Sequence, residues 1–552
     1  MKYIAYIVLG IFFCSINYNA SAQEKKKVSI KHADKFIRGK NHQKLIDNVV
    51  LQHKDVTMFC DSAYLSSKTN IVKAFGHIHI VQSDTLHLYG DELTYYTKTR
   101  FAKVRKNVVL KDRKLTLKTD SLDYDSEKNI AYYNYSGVLL DSINHLTSII
   151  GQYYAKTNRV SFKKNVEVTN PDYKLYSDTL NYNTVSKIVN IEGPTYIVGK
   201  KDTIYSEEGW YNTLKKQVQL SKNNKAHRES YFCYGDNIFL DNIKQTAVIK
   251  NNGVLKDTVN NIILKAHNIK AFNKEQFAIA TEKSHLIYID KNRDSLFMRG
   301  DTITLRKDSL NTKINSFHNI RFYKKNLQGV CDSLSFSMKD SLTSLYTNPI
   351  LWVNGQQITG DTIKLQNGGK AMKKFFVYNK ALIISSTNDN KYNQIKGKNM
   401  IGYFKNNFLN YLDVLSSSQL IYFPIDKGVI SGVYKTVSSN IRIYIKKRKL
   451  DRIIFKTTPN GNIYPLNKIE ARELKLKEFR WDDDKRPKNK KDIIKDFYIK
   501  TAKSIKFIDK IADKNISTFK NTNRKNIGRM KLEDSQERRQ ERILLSPTQK
   551  KK

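Results

Sequence analysis

An internal repeat runs along most of this sequence. Each copy has a small residue, then aspartate, then an alternating apolar stretch, as in GDELTYY from Gly90, TDSLDYD from Thr119 and SDTLNYN from Ser177. With its degenerate copies the motif occurs about twelve times, at intervals of 26 to 37 residues. Self-similarity at such a period is typical of folds that stack one supersecondary unit on the next. The copies that keep the aspartate are anchored at Asp61, Asp91, Asp120, Asp178, Asp236, Asp301, Asp332 and Asp361.

The apolar residues of each copy alternate on both sides of its anchor. They lie two and four residues after the aspartate, and three and five residues before it. A period of two predicts a strand with one buried face. The last apolar position before the aspartate and the first one after it are five residues apart, however, and in an unbroken strand an odd separation would place them on opposite faces. We therefore expect the small residue and the aspartate to form a bulge or corner that turns both sets inward, with the aspartate bonded to its own neighbouring amides.

The inward-facing positions predict an apolar trough. Its candidate lining residues are Leu86, Leu88, Leu93, Tyr95, Leu115, Leu117, Leu122, Tyr124, Leu180, Tyr182, Ile238 and Leu240. A high content of aromatic residues, 33 Tyr and 25 Phe against 8 Pro, agrees with strands. We predict an all-β protein, an elongated antiparallel β-jelly roll or β-solenoid of about twelve repeats of ~30 residues.

The N-terminus has the pattern of a secretory signal peptide. Lys2 precedes an apolar run from Tyr3 to Ile16, and Ala20-Ser21-Ala22 is a small-x-small cleavage site. We expect residues 1–22 to be removed and the mature chain to be exported. Its three cysteines, Cys60, Cys233 and Cys331, do not form a disulfide framework.

The repeat resembles a known family. Its pattern L-x-L-x-[GSTC]-D-x-L-x-Y, followed by a strand around K-N-V, is similar to the OstA-like repeat (organic solvent tolerance protein A, LptA-type) of Gram-negative lipopolysaccharide export, most closely over residues 45 to 200. The resemblance implies an open jelly roll that shields the acyl chains of lipid A as lipopolysaccharide crosses the periplasm towards the outer membrane. It also implies partners among the lipopolysaccharide-export proteins of the inner and outer membranes.

Charge and apolar patterning fit such a ligand. Acyl chains need a continuous apolar surface, because each buried methylene contributes about 0.8 kcal/mol. An anionic head needs cations, and the chain has 97 Lys and Arg against 52 Asp and Glu. Alternatively, the apolar residues fill a closed core with no room for a ligand. The signal peptide argues against a nucleic-acid partner.

Catalysis and metal binding are not indicated. The anchor aspartates occupy the same position in every repeat, as expected of residues that form turns. The two carboxylates of a catalytic pair need not recur in this way. His77, His79 and His87 lie close together without further ligands at metal-binding spacing, so we interpret them as wall residues. We therefore expect no enzyme activity and no cofactor. A carbohydrate-active or adhesive β-solenoid of the cell envelope is the alternative function.

Three segments follow the signal peptide. Residues 23–205 form an N-terminal OstA-like repeat domain, residues 206–480 contain further, more divergent repeats, and residues 481–552 form a basic tail. From Lys485 onwards the tail has 22 basic and 8 acidic residues. Apolar residues at helical spacing predict an amphipathic helix over about Lys491 to Lys514, followed by a disordered end. We expect the tail to be a separable module, either solvated or in contact with an anionic membrane or a partner.

Overall fold

The computed structural model describes residues 27–494, apart from residues 114, 142, 291–292, 369–371, 388–389, 407, 427 and 447–448. The chain divides after Leu139 into two compact units, which are described separately below. Nearly all regular structure consists of strands that pair antiparallel with their neighbours, so the prediction of an all-β antiparallel fold is confirmed. The predicted signal peptide lies outside the described residues.

The first unit has long strands of 11 or 12 residues joined by tight turns. Its strands are β1 (Ser29–His32), β2 (Lys35–Arg38), β3 (His42–His53), β4 (Val56–Ser66), β5 (Ile71–Gln82), β6 (Leu86–Tyr96), β7 (Phe101–Asp112), β8 (Leu115–Asp125) and β9 (Ile130–Tyr133). The division between the units falls within β10 (Gly137–Asp141).

The second unit repeats this plan with more interrupted strands. They are β11 (Asn144–Ser148), β12 (Ile150–Tyr154), β13 (Arg159–Thr169), β14 (Tyr173–Asn183), β15 (Ile188–Gly199), β16 (Asp202–Asn212), β17 (Gln217–Lys222), β18 (Asn224–Arg228), β19 (Tyr231–Gly235), β20 (Asn237–Asp241), β21 (Thr246–Asp257), β22 (Ile262–Phe272), β23 (Phe277–Ile289), β24 (Ser295–Lys307), β25 (Thr312–Lys324), β26 (Leu327–Ser337), β27 (Leu342–Tyr346), β28 (Ile350–Val353), β29 (Gln356–Thr359), β30 (Thr362–Asn367), β31 (Met372–Ser386), β32 (Tyr392–Lys405), β33 (Phe408–Tyr422), β34 (Ile425–Asp426), β35 (Val429–Ile430), β36 (Val433–Lys446), β37 (Lys449–Lys456) and β38 (Asn460–Tyr464).

Helical structure is sparse. Short 3-10 turns span Ala155–Thr157, Leu466–Lys468, Ala471–Leu474 and Asp483–Lys485, and one α-helical turn, α1, spans Lys491–Ile494. Within the described part of the chain, no helix has the length and apolar character needed to cross a membrane.

Alternate long strands contain a bulge near the middle, at which the register with both neighbouring strands shifts. In β5 the residues Gly76 and His77 have φ values of 74° and 42°, and the register with β6 shifts between Phe75 and Ile78. In β7, Lys106 and Asn107 have φ values of 63° and 49° at the matching position. Such left-handed backbone is most accessible to Gly and, among other residues, to Asn.

These bulges correct one detail of the sequence-based prediction. The pattern predicted the bulge at the small residue and its aspartate, such as Gly90 and Asp91. These two residues lie within β6 and do not have left-handed backbone. The extra residue of each bulge lies in the neighbouring strand, in a left-handed pair such as Lys106 and Asn107. Gly90 is small for a steric reason, because a Cβ atom there would lie 2.4 Å from Cγ1 of Val104.

The bulges divide each unit into two walls around an interior. Wall A of the first unit contains the strand halves 42–46, 62–66, 71–75, 92–96, 101–105 and 121–125, which pair with one another. Wall B contains 49–53, 56–60, 78–82, 86–90, 108–112 and 115–119. Leu88 in wall B and Leu93 in wall A are both buried, so the two apolar sets of one repeat do face the same interior.

In the second unit, residues 465–494 form a segment that we call the C-terminal strap. Wall B of the second unit contains the corresponding strand halves, which include 253–257, 262–266, 284–289, 295–300, 320–324, 327–331, 381–386 and 392–397. The strap crosses this wall on its outer face, where Leu476, Phe479 and Trp481 belong to an apolar cluster with Ile384 and Ile421. The sequence pattern does not predict this packing, and it extends past the proposed boundary at residue 481.

Buried glutamines bind the strap backbone. The side-chain amide of Gln394 donates to the carbonyl of Leu474 and accepts from the amide of Leu476, both at 2.8 Å. Gln357 binds the carbonyl of Arg480 and the amide of Asp482 in the same way, at 2.7 and 2.8 Å. Each glutamine thus satisfies one strap donor and one strap acceptor, as a neighbouring strand would. Of the predicted helix over Lys491 to Lys514, only α1 lies within the described residues.

Candidate binding cavities in the interior

The predicted trough residues line the interior of the two units. Most of them are fully buried: Leu86, Leu88, Leu93, Tyr95, Leu115, Leu117, Leu122 and Tyr124 in the first unit, and Leu180, Tyr182 and Ile238 in the second. Leu240 is half-buried. Their burial is consistent both with a ligand-binding trough and with a closed core. The packing around them distinguishes these two alternatives.

In the first unit, polar groups bridge the two walls. The ring nitrogen Nδ1 of His53, at the end of wall B, lies 2.7 Å from the hydroxyl oxygen of Tyr95 in wall A. The hydroxyl of Tyr124 donates across to Gln82, and Arg100 forms an ion pair with Asp55. These bonds hold the two walls together along the side where the strands end.

Aromatic side chains also fill this part of the interior. One row of paired residues across wall A reads Val72, Tyr95, Ala102, Tyr124 and Ala131. Each alanine is followed or preceded by a tyrosine that is about 1% exposed. Large and small side chains thus alternate, which is the arrangement that packs an interior densely.

The equivalent row in the second unit has a different composition. It reads Leu240, Ala247, Ala271, Ala278 and Leu305 across consecutive strands, so three alanines are direct neighbours. No aromatic side chain from this row occupies the space in front of them. A cavity of about 430 Å³ lies there, within the size range of small-molecule sites.

Wall B supplies the other side of this cavity. Apolar residues predominate in the lining, and the wall B contributors include Ile204, Ala226, Cys233, Leu255 and Ile262. Burial raises the pKa of the Cys233 thiol to about 12, so the group stays neutral. The interior is therefore uncharged along most of its depth.

Cations gather at the rim of the same cavity. Arg228, Arg306 and Lys307 all line it, and within the described residues none of the three forms an ion pair with a carboxylate. Arg306 lies over the ring of Phe277, 4.9 Å from its centroid, and the Nζ atom of Lys307 lies 3.5 Å from the hydroxyl of Tyr231.

Two of the three carboxylates that line this cavity are engaged in their own turns. Asp241 accepts hydrogen bonds from the amides of Ile243 and Lys244, and Asp257 accepts them from Val259 and Asn260. Both aspartates thus close their own turns. The third carboxylate, Asp202, lies opposite Arg228 in the register of β16 and β18. Arg306 and Lys307 are therefore the cations of this lining that are best placed to meet an anion.

A second cavity lies further along the second unit. Its volume is about 390 Å³, and its apolar lining includes Leu286, Met298, Phe322, Phe336 and Leu365. Lys324 lies at its edge and pairs with two carboxylates of the same lining, Asp290 at 2.6 Å and Asp294 at 3.6 Å. The cation at this rim is therefore already paired, in contrast to Arg306 and Lys307 at the first cavity.

Among the predicted residues, Leu240 alone appears in the lining of these two cavities. Sequence reasoning missed the three adjacent alanines, because each of them occupies an ordinary inward position of its own repeat. The signal is visible only when the repeats are aligned side by side. Ala247, Ala271 and Ala278 then occupy the row that holds Tyr95 and Tyr124 in the first unit.

The anchor aspartates bind the left-handed pairs of neighbouring strands. The side-chain amide of Asn107 donates to Asp91 at 2.7 Å, and Asn252 and Asn319 donate to Asp236 and Asp301 at 2.8 Å. His77 meets Asp61 at 2.8 Å, and His318 meets Asp332 at 3.0 Å. These partners lie across the strand pair, whereas the sequence pattern predicted bonds to neighbouring amides. Asp361 lies 3.5 Å from Lys380, and Asp120 and Asp178 occupy the same place in their repeats.

The histidines and cysteines have structural surroundings. His79 stacks on Tyr89 with 4.5 Å between ring centroids, and its ring lies 3.1 Å from His87. Within the described residues, no three metal-ligating side chains converge. Cys60, Cys233 and Cys331 are free thiols.

Comparisons with known proteins show similarity over part of this chain. No curated protein matches it. Among solved structures, it matches LptH from Pseudomonas aeruginosa, described as the LptA-homologous periplasmic component of the conserved lipopolysaccharide transport device. The match has 16% identity and a TM-score of 0.14, and covers 24% of this chain and 80% of LptH. Residues 25–178 match the family model of the OstA-like proteins, so the resemblance seen in the repeats is confirmed over this part of the chain, which we call the OstA-like segment.

Proposed function

We propose that this chain is an exported, periplasmic transport protein that binds lipopolysaccharide without catalysing a reaction. The OstA-like segment supports the transport class. The observation that carries the proposal is the cavity in front of Ala247, Ala271 and Ala278, which is apolar inside. Its rim carries Arg306 and Lys307, for which the described part of the chain provides no carboxylate ion pair. An amphiphile with acyl chains and an anionic head matches both features.

The energetics favour acyl chains in this cavity. Each methylene moved from water into an apolar site contributes about 0.8 kcal/mol, so even part of one acyl chain contributes several kcal/mol. Arg228, Arg306 and Lys307 would meet phosphate or carboxylate groups at the rim. In this proposal the second unit holds the lipid, while the polar bridges of the first unit keep its interior closed at rest.

Delivery to the outer membrane and contact with other lipopolysaccharide-export proteins belong to the same proposal. The basic segment after residue 494, which lies outside the described residues, would provide contact with an anionic membrane or with a partner.

Site-specific photo-crosslinking in cells tests the proposal. A crosslinking residue at Ala271 faces the cavity, whereas one at Lys270, the preceding residue, is exposed on the outer face. We expect lipopolysaccharide to be captured from position 271 and not from position 270. Tyr95 and its neighbour Thr94 provide the corresponding pair in the first unit, where capture at Tyr95 requires the walls to separate. Equal capture from both members of each pair, or capture from none, contradicts the proposal.

A further inference from the structure

Four basic side chains lie in one row across wall B of the second unit. Lys265 in β22 pairs with His285 in β23, His285 pairs with Arg299 in β24, and Arg299 pairs with Arg321 in β25. Neighbouring strands lie about 4.8 Å apart, so these side chains are as close together as a sheet permits. Burial lowers the pKa of His285, so the like charges that stand directly opposite each other are those of Arg299 and Arg321. Such a pair destabilises a sheet unless a counter-charge is present.

The row faces outwards, away from the interior cavities. The preceding or following residue in each strand is an interior residue: Leu264, Leu286, Met298 and Phe322 are all buried, and the last three line the second cavity. Because side chains alternate along a strand, Lys265, His285, Arg299 and Arg321 lie on the opposite face. That is the face crossed by the C-terminal strap.

The strap brings oxygen atoms to two members of the row. Arg321 donates to the carbonyl of Lys485 at 2.9 Å, and the Nε2 atom of His285 lies 2.9 Å from the carbonyl oxygen of Ile493. Helix α1 lies over β24 and β25. Arg299 is thus placed between two side chains that already bind oxygen acceptors.

The positive charge of the row is only partly balanced: Asp492 in α1 is close enough to oppose the lowering of the Arg321 pKa. Within the described residues, no carboxylate forms an ion pair with Lys265, Arg299 or Arg321. Burial lowers the pKa of Lys265, and burial together with the charge of Arg299 lowers that of Arg321. An anion in the row would relieve this repulsion and would supply acceptors to the donors of Arg299 and Lys265.

We infer that Lys265, Arg299 and Arg321 form a binding site for a phosphate group on the outer face of wall B. One guanidinium group can donate two parallel hydrogen bonds to two oxygens of a phosphate, and a lysine adds a positive charge. The phosphate is either free or carried by a lipid headgroup. The site is separate from the interior cavities, so phosphate binding here does not depend on lipid binding in the interior.

Calorimetric titration of the mature full chain with inorganic phosphate, at physiological salt, tests the site. We expect Arg299→Gln to weaken phosphate binding by about tenfold or more, the order expected for lost hydrogen bonds between charged groups. Lys270→Gln is the matched control, because Lys270 is exposed and lies on the same strand as Lys265. Circular dichroism melting verifies that both variants fold.

The outcomes are distinct. Loss of binding in Arg299→Gln alone supports the site, and Arg299→Lys should then retain part of the affinity. No phosphate binding by the unaltered chain, or an equal loss in the Lys270→Gln control, overturns it. Lipopolysaccharide with and without its phosphate groups identifies the source: a defect of Arg299→Gln confined to the phosphorylated form indicates a headgroup, and a defect seen only with inorganic phosphate indicates the free ion. Failure of crosslinking from Ala271 leaves these results unaffected.

Discussion

The hydroxyl oxygen of Tyr95 and the Nδ1 atom of His53 lie 2.7 Å apart, although the two residues belong to opposite walls of the first unit. Both side chains are at most 3% exposed. A polar contact at this place differs from the purely apolar trough that the repeat pattern predicts. It makes the closed interior of the first unit depend on specific donors and acceptors, and such dependence can be measured.

Removal of this hydroxyl should loosen the first unit. In Tyr95→Phe the ring still fills the interior, but His53 loses a buried partner, so we expect the free energy of unfolding to fall by about 1 to 2 kcal/mol. Urea denaturation followed by tyrosine fluorescence measures the change. Tyr96→Phe, on the opposite face of the same strand, should have almost no effect. Equal stability of the two variants would show that the bridge does not stabilise the closed interior.

Enlargement of an interior alanine should have opposite consequences in the two units. Ala271→Leu adds side-chain volume to the 430 Å³ cavity, so we expect little loss of stability but reduced capture of lipopolysaccharide. Ala102→Leu enters a row already filled by Tyr95 and Tyr124, where overpacking costs about 1 to 3 kcal/mol. Thermal denaturation and the crosslinking yield measure the two effects. If both variants lose the same stability, the cavity is not available space.

The contact between Asp61 and His77 should respond to pH. The hydrogen bond from the ring to Asp61, and then the charge of that carboxylate, hold the pKa of His77 above its usual value. A raised pKa in the folded state means that folding favours the protonated ring. The pair therefore stabilises the fold below the pKa of the unfolded histidine, and the contribution disappears as pH rises through the folded value.

Nuclear magnetic resonance titration of the histidine rings checks this. We expect Asp61→Asn to lower the pKa of His77 and to leave that of His318, which Asp332 raises in the same way, unchanged. An unchanged His77 pKa in the variant would mean that the anchor carboxylate does not hold the neighbouring left-handed residue.

Loss of a glutamine under the strap should destabilise the second unit. Gln357→Ala leaves the carbonyl of Arg480 and the amide of Asp482 without their buried partner, at a cost of about 1 to 3 kcal/mol. The neighbouring Gln356 is half-buried and serves as the control position. Equilibrium unfolding in urea distinguishes the two variants.

Truncation tests the extent of the strap. A chain that ends at residue 494 should keep the stability of the second unit, whereas a chain that ends at residue 480 should lose part of it, because Trp481 and Asp482 contact the sheet. Circular dichroism melting compares the two. Equal melting of both chains would place the separable tail at residue 481, as the sequence pattern proposed.

Local patterns predicted the strands well, because the information for them is local. Leu88 and Leu93 lie five residues apart around Asp91, and their shared burial follows from their spacing and the need for a corner. The position of the extra residue in each bulge could not be predicted from the same spacing. Gly90 and Lys106 are both compatible with a bulge, and only the pairing of β6 with β7 shows which of them is part of it. The strap was missed for a related reason: Gln357 and Arg480 are 123 residues apart, and nothing in either local pattern indicates the other.

The left-handed pairs have a consequence for how such a chain can grow or shrink. A strand with an aspartate, such as β6, has on each side a strand with a left-handed pair, β5 or β7, and the two kinds alternate. Insertion of a single strand would place two strands of the same kind side by side. Two neighbouring strands with left-handed pairs, for example, would lack the aspartate between them that accepts hydrogen bonds from those pairs. Duplication or deletion of a whole hairpin preserves the alternation. The period of about thirty residues thus corresponds to the smallest block of sequence that evolution can copy without breaking a corner.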